Sequence, residues 1–340
     1  MIHFRSIVLI GLLTVLSTSA APFNSATYDG GPKTAENHLI KLRYAMDKAS
    51  SIKQQKALLD EVGANGTFQA MMYSSHYLDI PRLEKAASKA FVRIALEHPE
   101  YNGAQVRSLL RHAYMHVGSR TRSRILQYLN NVPVDEVGFQ SLFNGVDLTG
   151  WKGLVANPIK RAAMKPEILR EEQRKADDRM RDNWKVDHGC LVYVGKGYDN
   201  LCTISDYRNF EMYVDWMLDP SGKEPDAGIY LRGTPQVQIW DTARVNVGAQ
   251  VGSGGLYNNK KYESKPSVVA DNMTGIWNSF YIRMVDNRVT VFLNGIKVVD
   301  NVIMENYWDR SQPIFPKGQI ELQAHGSKVY FRDLYVRRLK

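Results

Sequence analysis

Residues 139–153 read FQSLFNGVDLTGWKG, and this stretch decides the class of the larger part of the chain. A short apolar run leads into Asn144-Gly145, a pair that turns readily because both residue types tolerate a positive φ. Asp-Leu-Thr-Gly-Trp follows at residues 147–151. Upstream of it the hydrophobic spacing is helical; downstream, residues 138–340 are strand-like. The stretch reads as the opening strand and turn of an antiparallel sandwich.

Working outward, the strands show a period of two. Phe210, Met212, Val214, Trp216 and Leu218 share one face. Val289, Val291 and Leu293 lead into Asn294-Gly295, which predicts a two-residue hairpin with a type I′ turn. A final strand is expected near residues 329–336. One charged stretch, residues 164–184, interrupts the pattern. Leu169, Ala176 and Met180 are its sparse apolar positions, so it reads as one amphipathic helix lying on the sandwich.

The same alternation says which side chains leave the core together. Ala227, Ile229 and Leu231 point in, so Tyr230 and Arg232 point out. Val237 and Ile239 point in, so Gln236, Gln238 and Trp240 point out. Ile320, Leu322 and Ala324 point in, so Gln319, Glu321, Gln323 and His325 point out. Glu211, Tyr213 and Asp215 oppose Phe210, Met212 and Val214. Aromatic rings beside carboxylates, amides, an arginine and a histidine suit a sugar, whose ring faces stack and whose hydroxyls take paired hydrogen bonds. Of eight histidines only His188 and His325 lie in this part of the chain. His188 stands in the turn signal Asp187-His188-Gly189, which leaves His325 as the candidate reacting imidazole.

Six segments in combination, LFNGVDLTGW (142–151), AGIYLRGTPQVQIWD (227–241), GSGGLYNN (252–259), GIWNSFYI (275–282), VTVFLNG (289–295) and GQIELQAHGSKVYFRDLYVRRL (318–339), resemble the 3-keto-disaccharide hydrolase domain family. The resemblance implies a concanavalin-like jelly roll and cleavage of glycosides oxidised to a ketone at C3. It also implies a base near neutral pH, for which His325 is the candidate, and positive charge or a divalent metal ion at the enolate oxygen. Arg232 is the candidate for that charge, with Glu321, Asp241 or Asp215 as acid or metal ligand. Tyr230, Gln238, Trp240, Gln323, Tyr257 and Asp215 would hold the sugar. One departure is visible: Asp226-Ala227 stand where the family often has Ser before Gly-Ile, which bears on a minor contact.

Residues 34–131 repeat apolar positions at three- and four-residue steps, and predict five or six short helices, either a HEAT-type solenoid or a bundle. Pro81 suits the first turn of one of them. A protein partner is the expected use of such a segment, and the sandwich is expected to fold without it. Residues 132–137, with Pro133, read as the linker. Residues 22–33 read as a flexible leader. Residues 1–21 read as a secretory signal peptide: a basic start, an apolar run at 6–17 too short for the ~20 residues of a spanning helix, then Thr18, Ser19 and Ala20 before a cut near Ala20 or Ala21. With no cysteine near the cut, the expectation is a periplasmic or secreted, soluble enzyme without a lipid anchor or integral membrane segment.

The formal net charge of +9 includes five arginines in residues 107–124. A solvated helix face explains that run better than nucleic acid does, and no nucleic-acid partner is expected. Cys190 and Cys202 are the two cysteines; a bridge and two buried thiols both fit an exported chain. Three functions stay open on residues alone. An enzyme acting on 3-keto-glycosides needs the base and charge just described. A glycan-binding module needs only the stacking face. A conventional glycosidase needs two carboxylates across the scissile bond.

Overall fold

The computed structural model describes residues 30–133, 138–195 and 197–340. The expected signal peptide, most of the leader and residues 134–137 of the linker lie outside the described residues. Among those described, no helix is long and apolar enough to cross a membrane.

Six helices come first: α1 (Ala35–Lys48), α2 (Ile52–Asn65), α3 (Phe68–Ser75), α4 (Glu84–Glu97), α5 (Ala104–Ala113) and α6 (Ser119–Asn131). Local chemistry sets their ends. Thr34 caps α1, Ser51 and Gln54 form a capping box on α2, and Gly66 at φ 78° ends it in the left-handed region. Pro81 falls outside a helix, contrary to expectation; Arg82 at φ 74° breaks the turn and α4 starts at Glu84. The central α4 packs on α2, α3, α5 and α6. Two of the five arginines in 107–124 close helix ends: Arg107 donates to the Leu129 carbonyl at 2.7 Å and Arg122 to that of Tyr114 at 3.0 Å.

The remaining chain adds strands β1 (Gln140–Ser141), β2 (Trp151–Gly153), β3 (Trp184–Asp187), β4 (Cys190–Tyr193), β5 (Leu201–Thr203), β6 (Asn209–Leu218) and β7 (Asp226–Leu231). It continues with β8 (Thr234–Trp240), β9 (Asn278–Val285), β10 (Arg288–Leu293), β11 (Ile296–Ile303), β12 (Glu321–Leu322) and β13 (Val329–Leu339). Helices α7 (Pro158–Ala162) and α8 (Pro166–Asn183) are the insert, and α8 lies against β2 and β3. Every pairing is antiparallel. An eight-stranded sheet runs β11-β10-β9-β6-β13-β4-β3, with β1 also on β13; a five-stranded sheet runs β2-β5-β12-β7-β8. Residues 139–153 cross from one sheet to the other. The Asn144 carboxamide oxygen accepts from Val146 N at 2.9 Å and Asp147 N at 3.0 Å, and Trp151 arrives in the core. The core between the sheets contains the alternating sets read from the sequence: Phe210 to Leu218, Ala227 to Leu231, Val237 and Ile239, Val289 to Leu293, and Ile320 to Ala324. Cys190 on β4 and Cys202 on β5 are separate thiols on different sheets.

The helices cover part of the outer face of the eight-stranded sheet. Tyr335 and Phe139 belong to the same hydrophobic cluster as Phe68, Leu39 and Phe91 of the helices, with Tyr213 packed against it. Phe68 stacks on Tyr213 with centroids 5.2 Å apart. Beside this apolar contact lies a buried charge cluster. Arg43 of α1 pairs with Asp333 and stands 3.5 Å from Asp215, which Arg332 approaches at 3.4 Å. Burial raises Asp333, but Arg43 and Arg332 overcome it and bring the group down to about 2. Burial and the neighbouring Asp333 push Asp215 up. The helices and the sandwich thus share one buried interface.

Candidate functional site

The outer face of the five-stranded sheet carries a cleft of about 470 Å³. Its floor is built by alternation. On β8, Gln236, Gln238 and Trp240 project together; on β7, Asp226 and Tyr230 do; Gln323 and His325 follow β12. Gly228 lies between Asp226 and Tyr230. A Cβ there would stand 2.9 Å from Gln323 Oε1 and 3.0 Å from Gln236 Cδ, so glycine lets the two amides close over the strand. Tyr257, Tyr307 and Trp308 supply walls from loops. The Trp240 and Tyr257 rings meet edge-on at 5.4 Å, and Trp308 Nε1 donates to the Gly233 carbonyl at 2.8 Å.

Asp226 is the electrostatic centre. Its Oδ1 accepts from Gln238 Nε2 at 2.7 Å, and Gln236 donates in turn to Gln238 Oε1. Its Oδ2 lies 3.9 Å from His325 Nδ1 and 3.8 Å from Arg244 Nη1. Burial pushes Asp226 up to about 6, against the pull of His325, the Gln238 hydrogen bond and Arg244. Among the described residues, His325 Nδ1 and Gln323 Oε1 are buried without a hydrogen-bond partner. Two polar atoms left this way at a cleft floor are poised for a ligand.

A smaller cavity of about 170 Å³ adjoins the cleft and shares Tyr230, Trp308 and Gln323 with it. Glu321 lines it and is almost fully buried. Asn200 Nδ2 donates to its Oε2 at 3.2 Å, and Gln319 Nε2 stands 3.5 Å from Oε1. Burial pushes Glu321 up to about 7, opposed by Asn200 and the Arg161 guanidinium. Tyr230 pairs across the strands with Glu321 and is likewise raised by burial.

Of the side chains proposed from sequence, Tyr230, Gln238, Trp240, Gln323, Tyr257 and His325 line the cleft, and Glu321 lines the adjoining cavity. Three are elsewhere. Arg232 lies past the end of β7 at φ 55°, where the turn breaks the alternation. Its guanidinium donates to the Arg208 carbonyl at 2.6 Å, the Phe315 carbonyl at 3.3 Å and Asn209 Oδ1 at 3.2 Å, holding loops together. Asp241 accepts from Thr274 Oγ1 at 2.7 Å and from Ala243 N at 3.2 Å, making the turn that brings Arg244 back over Asp226. Asp215, with Glu211 and Tyr213, belongs to β6 of the other sheet, under the helices.

Sequence reading missed Asp226, Arg244, Tyr307 and Trp308. Asp226 carried a usable signal, since β7 alternation puts it on the Tyr230 face. The other three are loop residues with no periodicity to read. Among the described residues no three His, Cys, Asp or Glu side chains converge to hold a metal ion. A divalent ion at the enolate oxygen finds no such ligand set among the described residues.

Residues 138–337 match the family model of the 3-keto-alpha-glucoside-1,2-lyase-like domain. A 3-keto-disaccharide hydrolase from Bacteroides thetaiotaomicron is 22% identical over 260 residues, spanning 61% of this chain and 81% of its own. Among solved structures, a candidate glycosyl hydrolase from Parabacteroides distasonis is similar at TM-score 0.41 and 22% identity, over 60% of this chain and 95% of that one. A carbohydrate-binding module from Bacillus subtilis is similar at TM-score 0.29 and 8% identity, over 43% of this chain and 86% of that one.

Proposed function

The chain belongs to the 3-keto-alpha-glucoside-1,2-lyase-like family, and from that premise we propose that it is a glycosyl hydrolase whose cleft cleaves glycosides carrying a ketone at C3. The observation that carries this reading is the meeting of Asp226 Oδ2 with His325 Nδ1 at 3.9 Å and Arg244 Nη1 at 3.8 Å on an aromatic-walled floor. A sugar stacked on Trp240 and Tyr257 would present its ring carbons to that group.

The ketone acidifies the proton on C2. His325 takes that proton, and the C–H electrons form the enolate between C2 and C3. Asp226 steadies the imidazolium that results, and Arg244 meets the negative oxygen at C3. The enolate electrons then form a C1–C2 double bond as the C1–O bond breaks and the C3 carbonyl returns. Glu321, neutral over part of the physiological range, gives the departing oxygen its proton. Water adds at C1 while C2 regains a proton, so the sum is hydrolysis. Gln236, Gln238 and Gln323 hold the hydroxyls. The lectin-like jelly-roll class belongs to the same reading, as does export to the periplasm or beyond, which rests on the apolar run at residues 6–17.

The deciding experiment incubates purified protein with nitrophenyl 3-keto-glucoside and with the unmodified glucoside in deuterium oxide. The expected result is release from the keto substrate alone, with deuterium at C2 of the product. Release from the unmodified glucoside without deuterium would replace this reading with two-carboxylate hydrolysis. Retention on an immobilised glycan without any release would replace it with a binding module.

A further inference from the structure

We propose that the joint between the helical segment and the eight-stranded sheet is a second carbohydrate site, one that holds a pyranose ring without acting on it. A cavity of about 310 Å³ opens there, on the side of the sandwich away from the cleft. Both parts of the chain build it. The sheet contributes Tyr213, Tyr281 and Phe292, and the helical segment contributes Tyr101, Gln69 and Glu36.

The floor is apolar and polar at once, and the polar groups are buried. Gln69, Glu211 and Ser279 are 4%, 7% and 5% exposed, yet all three line the cavity. Gln69 Nε2 donates to Ser279 Oγ at 2.5 Å, which leaves its carbonyl oxygen available. Arg337 Nη2 donates to Glu211 Oε2 at 2.9 Å and Nη1 to the Glu100 carbonyl at 2.8 Å, while Arg337 Nε is buried with no partner among the described residues. An apolar ligand would keep Arg337 Nε without a partner and add nothing to the buried carboxamide and carboxylate beside it. A sugar answers all of them: vicinal hydroxyls pair with the amide, the carboxylate and the guanidinium, and a C–H face lies on a tyrosine ring.

The close approach of the helical segment to the sheet at the rim requires one residue. Gly295 sits at φ 80° in the β10–β11 turn, and a Cβ there would run into Glu36 Oε2. The site also gives the helices a task, because the sheet alone supplies only half the walls. It rests on this geometry and not on the chemistry proposed for the cleft. Since the two sites face opposite ways, a glycan held at the joint is a tether and not an extension of the reacting sugar.

The test uses the full chain, saturation-transfer NMR and methyl glucopyranoside in both anomers, with tetramethylammonium chloride as the probe for a cation cage. Methyl glucopyranoside should still bind Trp240→Ala, whose cleft is impaired. Adding Tyr281→Ala or Phe292→Ala to that variant should weaken binding at least tenfold, with near-ultraviolet circular dichroism unchanged. Turnover of the 3-keto-glucoside by Tyr281→Ala alone should match wild type. Loss of binding in Trp240→Ala alone would overturn the proposal, as would unchanged binding in both folded double variants, or binding of tetramethylammonium in place of the glucoside. Because binding is read without turnover, failure here is separable from failure of the proposed activity.

Discussion

Asp226 on β7 and His325, just past the end of β12, come together with Oδ2 and Nδ1 3.9 Å apart, and Arg244 Nη1 lies 3.8 Å from the same carboxylate oxygen. This relationship makes the histidine testable against a control in the same domain. His325→Ala should lower turnover of a 3-keto-glucoside by ~100-fold or more, the usual contribution of a general base. The His188 imidazole is exposed and pairs with its neighbour Asp187 at 2.6 Å, so His188→Ala should stay near wild type. Steady-state kinetics with thermal melts would decide, and equal losses in both variants would reject a direct role for His325.

Glu321 carries a pH prediction with a definite sign. Burial holds the folded group at about 7, above its ordinary 4.5. The fold therefore favours the neutral acid. The resulting penalty is absent below pH ~4, grows as pH rises through the interval, and is complete above about 7. Glu321→Gln should raise stability at pH 8 by up to about 3 kcal/mol and add almost nothing at pH 4. The same variant should be slow on alkyl leaving groups and recover on nitrophenyl ones, which need no proton. Equal melting shifts at both pH values would show that the carboxyl is not held neutral by its surroundings.

Trp240 tests the wall of the cleft. Trp240→Ala should raise KM about tenfold, the factor equivalent to 1.4 kcal/mol, with kcat within about twofold. An unfolded product, or a folded one with unchanged KM, would show that the ring frames the loop after β8 and does not stack on substrate.

Arg43 tests the shared interface. Arg43→Ala leaves Arg332 as the arginine beside Asp333 and Asp215, and should cost about 3–5 kcal/mol in urea melts, as breaking a buried charge pair does. Adding Asp333→Asn should recover part of it. A fragment of residues 138–340 should bind a hydrophobic dye and aggregate, because Tyr213, Tyr335 and Phe139 lose their cover. A soluble, cooperatively melting fragment would show the helices to be dispensable.

Much of the β architecture was legible because a period of two is local information. Ile229 and Tyr230, or Val237 and Gln238, sort themselves by neighbours in sequence alone. Asn294-Gly295 likewise sits in its turn with φ of 49° and 80°. What failed was non-local. Alternation gave Asp215 an outward face but could not say that helices cover it. Arg232 left the pattern one residue past a strand end. Asp226 was visible on the right face, yet its importance comes from Arg244 and His325, which arrive from a loop and from just past the end of β12.

The seat of α1 has a consequence for how the chain is made. Thr34 Oγ1 donates to the Asn294 carbonyl at 2.6 Å, across 260 residues. Asn294 is itself fixed by bonds to Asn278 and Ala270. At about 5–20 residues per second, a ribosome needs roughly 13–50 s to travel from one partner to the other. Helices that are synthesised first are seated last. Until β13 emerges with Tyr335, the side of α3 bearing Phe68 lacks part of the sheet it packs on.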